Sequence, residues 1–126
     1  MPFTYQIDAD AGMLWVFGDG AITQPERIAA LQAWMSDEAV RPGLDTLCDF
    51  SGAASVPTLD ELRHIVSFVE ERAEAIGRKK LALVTSRPFA AAVARQFQML
   101  AASTSLTVAV FGTRRDALDW IRQPAS

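Results

Sequence analysis

The chain has 126 residues, half of them hydrophobic and 21% charged, enough for one domain with a true core and too apolar for disorder. Its formal net charge of −3 argues against general nucleic-acid binding, which draws its affinity from lysine and arginine neutralising phosphates. One cysteine excludes an internal disulfide, and no apolar run reaches the roughly 20 residues of a membrane-spanning helix.

In "FTYQID" Phe3, Tyr5 and Ile7 alternate with Thr4, Gln6 and Asp8. That period of two predicts a half-buried strand. "ADAG" supplies a turn and "MLWVFG" a second strand, apolar on both faces, so Phe3 to Gly18 is expected to form a hairpin. In "TQPERIAALQAWM", Thr23 and Glu26 have the spacing of a capping box, and Pro25 is tolerated in a first turn. Ile28, Leu31, Trp34 and Met35 then make an apolar helical stripe, and "RPGLD" ends it. From there strands and helices alternate. "TLCDF" is a short strand, Thr58 to Ile76 a helix stopped by Gly77, and "KLALVT" a strand of the kind buried on both faces. "PFAAAVARQFQMLAAS" is helical, "LTVAVF" another buried strand, and "TRRDALDWIRQ" a final helix capped by Thr113. This order predicts a single α/β domain over residues 1–126. It has an N-terminal hairpin, a mixed five-stranded sheet whose later strands run parallel, and about four helices.

Ligands of parallel α/β sheets gather at the carboxyl ends of the strands, where helices begin. Three loops qualify: Ser51 to Thr58, Ser86 with Arg87, and Gly112 to Arg115. Ser86, Arg87, Thr113, Arg114 and Arg115 are therefore a candidate anion-binding rim, with helix amides adding to the guanidinium charge. The alternative is that these arginines are solvated surface residues. Asp49, Ser51, Ser55 and Thr58 form a candidate regulatory loop. Thr58 stands three residues before Glu61, so a helix cap explains it without a function. A hydroxyl at a helix start is also a favourable place for a phosphate.

A receiver-domain reading would make Asp49 a phosphoryl acceptor and Thr85 or Ser86 its switch hydroxyl. The opening hairpin and the "FGTRR" after the last strand break that pattern. Asp49 is expected instead to hydrogen-bond the turn at Ser51 and Gly52. His64 stands alone inside a helix and Cys48 inside a buried strand. Neither has a partner at metal-ligand or nucleophile–base spacing. Trp15, Trp34 and Trp120 are expected to pack the core or an interface. No metal and no cofactor are expected.

The hairpin, "LCDFSGAASVPTLDEL", "KKLALVTSRPFAAAVARQFQMLA" and the closing "VAVFGTRRDALDWI" together resemble the STAS-like family, the fold of bacterial anti-sigma-factor antagonists. They are more similar to a SpoIIAA-like bacterial branch often grouped with lipid-binding Sec14-type domains. In that branch a strand, an aromatic, an arginine and another aromatic follow in order, here Leu81 to Thr85, Phe89, Arg95 and Phe97. In antagonists proper, the loop after the third strand ends in an aspartate followed by a phosphorylatable hydroxyl. Pro57 replaces that aspartate here, although Thr58 keeps the hydroxyl.

The resemblance implies a non-enzymatic regulatory or protein-interaction module; an unidentified protein partner or a small anionic or lipid ligand is expected. The alternative is a small-molecule or lipid carrier whose apolar pocket is rimmed by Arg87 and Arg95. "MPFTYQIDAD" lacks the basic-then-apolar pattern of a signal peptide. A cytoplasmic protein that is not integral to a membrane is expected. The surplus of large apolar residues on "MLWVF" predicts a homodimer.

Overall fold

The computed structural model describes residues 2–124. The hairpin pairs β1 (Phe3–Asp8) with β2 (Met13–Gly20) in antiparallel register, Tyr5 opposite Val16. Helix α1 (Gln24–Ser36) leads to β3 (Asp45–Ala53), then α2 (Leu59–Glu71), a short α3 (Ala73–Ile76) and β4 (Lys79–Val84). Helix α4 (Pro88–Leu100) runs into a 3₁₀ turn, followed by β5 (Leu106–Phe111) and α5 (Arg114–Ile121). The sheet order is β1-β2-β3-β4-β5, and every pairing after the hairpin is parallel.

That order decides where the helices lie. The strands advance in one direction, so crossovers of a single hand put their helices on one face. Leu62, Val66 and Val69 of α2 and Phe97 of α4 accordingly bury with Leu14, Val16, Cys48, Leu83 and Val108. Helix α5 is not a crossover and takes the other face. There Ala117 and Ile121 meet Met13, Leu47, Ala82 and Val84. The alternation along β4 is therefore apolar on both sides, as expected of a central strand. β5 is an edge strand, with Thr107 exposed between buried Leu106 and Val108. Because α5 packs mainly on β3, β4 and β5, the outer face of the hairpin beyond Met13 is left largely uncovered.

The helical stretch expected over Thr58 to Ile76 is divided at Arg72, which raises the helix count among the described residues to five. Arg72 has φ −119° and ψ 28°, outside the helical region. Its guanidinium folds back over the Phe68 ring at 3.6 Å and donates to the Phe68 carbonyl at 3.2 Å. Gly77 ends the segment with φ 73°. A Cβ there would stand 2.7 Å from the Gly43 nitrogen, so only glycine fits this close crossing.

Helix α1 is the second departure. Its apolar stripe forms, and the Thr23–Glu26 capping box is complete, but no residue of the helix is fully buried. Side chains hold it in place. Tyr5 donates its hydroxyl to Asp37 at 2.8 Å, and Gln24 donates to the Glu61 carbonyl at 3.0 Å. Trp34 packs edge-on against Phe3 and Tyr5.

Candidate functional site

The parallel strands β3, β4 and β5 bring the N-termini of α2, α4 and α5 to one edge of the sheet. Most of the polar side chains gathered there have internal partners. Thr58 accepts from the Glu61 amide at 3.1 Å, and Glu61 accepts from the Thr58 amide at 2.9 Å, a reciprocal capping box. Ser55 accepts from the Ile22 amide at 2.8 Å and donates to the Ile22 carbonyl at 3.0 Å, tying the loop after β3 to the β2–α1 connection. Asp49 is buried and accepts from the Ser51 amide at 2.9 Å. Its other oxygen pairs with Arg114. Burial alone would raise the Asp49 carboxyl. The hydrogen bonds from Ser51 and Arg114, with the Arg114 charge, outweigh that and hold it below the ordinary aspartate value.

The arginines are divided among different partners. Arg87 donates to the Ala53 carbonyl at 2.8 Å. Arg114 holds Asp49 and lies 5.1 Å from the centre of the Phe17 ring. Thr113 caps α5 by accepting from the Asp116 amide at 3.2 Å. Ser86 and Arg115 are exposed. The strand-end edge thus gathers all the candidate residues, with two of its three guanidinium groups spent inside the molecule.

Behind this edge lies a cavity of about 210 Å³ between the sheet and the helices α1, α2 and α4. Leu14, Cys48, Leu81 and Leu83 line it from the sheet. Leu31, Trp34, Leu62, Val93 and Phe97 line it from the helices. Leu31, Trp34 and Met35 of the α1 stripe line it and are half-buried. Two polar groups of β4 also reach it, Lys79 where the strand begins and Thr85 just past its end. The Lys79 ammonium donates to the Thr46 hydroxyl at 3.0 Å. Burial pushes its pKa down, partly opposed by Cys48 and Asp45. The Thr85 hydroxyl is buried without a hydrogen-bond partner. Residues 79, 81, 83 and 85 share a parity, so the strand period could have aligned them. Nothing in the sequence marks the space they face.

Cys48 is buried, and its thiol is pushed up to about 12 by burial, so it behaves as a small core residue. His64 is exposed, its Nδ1 lying 3.5 Å from Gln24. Among the described residues no group of three or more His, Cys, Asp or Glu could hold a metal ion. No helix among them is long and apolar enough to cross a membrane.

This architecture is similar to the crystal structure of an uncharacterised protein of the DUF3478 family, with a SpoIIAA-like fold, from Shewanella loihica PV-4. The two are 16% identical, and the match covers 94% of this chain and 91% of that one at a TM-score of 0.61. At that identity the likeness shows the fold, and the chain has the SpoIIAA-like, STAS-type fold. No family model and no curated protein matches the sequence.

Proposed function

We propose that this chain is a non-enzymatic interaction module of STAS type that engages a protein partner through its strand-end edge. The observation that carries the reading is the placement of two large apolar side chains there. Leu59, the first residue of α2, is 43% exposed, and Phe89, in the first turn of α4, is 72% exposed. Both stand at helix starts that the parallel sheet brings to the same edge, beside exposed Ser51, Ser86 and Arg115. Apolar anchors with a polar surround are the usual anatomy of a protein contact. Thr58 serves this surface as the cap that fixes the start of α2. The module works in the cytoplasm as a homodimer, paired through a different face.

A photo-crosslinking amino acid in place of Phe89 tests the reading in cells, with Ser67 on exposed α2 surface as the control position. The expected result is a discrete adduct from the first position and none from the second. Leu59→Ser should remove that adduct, and Phe89→Ser should weaken binding of the purified partner at least roughly tenfold. Equal adducts from both positions, or none, would overturn the proposal.

A further inference from the structure

We infer that the cavity beneath α1, α2 and α4 is a binding site for a compact, uncharged, mostly apolar molecule carrying one hydroxyl or carbonyl group that pairs with Thr85. The inference goes beyond the partner surface proposed above, and its failure would leave that surface untouched.

Three observations lead to it. The first is size: an apolar cavity of roughly 150 Å³ already admits benzene, and this one is about 210 Å³. A single ring with a short substituent fits. The second is the buried Thr85 hydroxyl, of a residue only 5% exposed, on the wall of that cavity and without a partner. Buried hydroxyls are ordinarily hydrogen-bonded, because stripping one of water without replacement is costly. Thr85 does not cap the next helix either, since the residue at the N-cap of α4 is Arg87 and no side chain bonds there. A donor or acceptor brought in by a ligand would satisfy it.

The third observation is the charge around that hydroxyl, which sets the ligand class. Arg27 reaches the wall near the start of α2, but it is held by Glu61 at 3.7 Å and by the Ile22 carbonyl at 3.1 Å. Arg87 is held by the Ala53 carbonyl. Lys79 opens β4, about 20 Å away along the strand at its rise per residue. Among the described residues, no free cation stands beside an anion placed at Thr85 in this apolar site, which strongly disfavours it. A neutral polar group carries no such penalty.

Benzyl alcohol and toluene share the ring and its first carbon and differ only by the hydroxyl. Each is titrated into the intact protein while the NMR signals of Cys48, Leu83 and Phe97 are followed. Both should bind, with shifts concentrated on those residues. Thr85→Val keeps the side-chain shape and should weaken benzyl alcohol about tenfold relative to toluene. Thr85→Ser keeps the hydroxyl and should restore the wild-type ratio, which a merely structural role for Thr85 would not do. Absence of binding by either compound up to its solubility limit would overturn the inference. So would shifts confined to surface residues, or a benzyl alcohol to toluene ratio unchanged by Thr85→Val.

Discussion

Asp49 joins three parts of the strand-end edge: the end of β3, the turn at Ser51 and the start of α5 through Arg114. Its carboxyl is held below the ordinary value when folded. Such a group contributes stability that is complete above the unfolded pKa and is lost as pH falls through the folded one. Asp49→Asn should therefore be less stable than wild type at neutral pH. The gap should close as the pH drops below the ordinary aspartate range, about 3.9. Urea denaturation of both proteins along a pH series checks this, and a gap that widens in acid would contradict the sign. Thr58 offers a cleaner magnitude. Its oxygen receives one amide of α2 and is exposed to water. Thr58→Ala should cost about 0.5–2 kcal/mol and Thr58→Ser close to nothing. If the alanine variant were as stable as wild type in chemical denaturation, the capping role would fail and the hydroxyl would need another purpose.

The elements differ in how firmly they are built in, and α1 stands at one extreme. Central strands β3 and β4 contain Leu47, Ala82 and Val84, which are almost fully enclosed, whereas α1 buries no residue completely. Local opening free energies follow such differences in burial. Amides of α1 should therefore exchange with deuterium at least roughly 100-fold faster than those of β3 and β4. Uniform protection across the three would show that the side-chain ties of Tyr5, Gln24 and Trp34 hold α1 as strongly as a packed core. The same helix marks where sequence reading stops. Its capping box and stripe were legible, because spacing and hydroxyl chemistry act within one turn. The cavity under it was not, because an unfilled volume belongs to three helices and a sheet together. The break at Arg72 escaped for a similar reason: the arginine's return over Phe68 is a contact, and periodicity carries no trace of it. Thr58, Thr113 and the Asp49–Ser51 turn were legible as local hydrogen-bonding patterns. The pairing of Asp49 with Arg114 spans 65 residues and needed the fold.

At the scale of the whole molecule, the sheet is covered unevenly. Three crossover helices line one face, while α5 covers only part of the other. The outer face of the hairpin carries exposed Thr4, Gln6 and Asp8 beside half-buried Trp15 and Phe17, whose rings stack 6.4 Å apart at 14°. This is the surplus that the apolar hairpin strand foreshadowed, and a two-fold contact would cover it with its own copy. Sedimentation at micromolar concentration should then show a dimer. Phe17→Thr, which keeps a strand-forming residue, should raise the dissociation constant at least roughly tenfold while circular dichroism stays unchanged. Salt separates this face from the strand-end edge. Each chain has a net charge of −3, so two copies repel weakly and screening reduces that repulsion. An aromatic contact should accordingly hold or tighten as salt rises, whereas a contact made by the exposed arginines of the edge should loosen. A monomer at every salt concentration would remove the dimer. A dimer that dissociates in high salt and ignores Phe17→Thr would move it to the arginine edge.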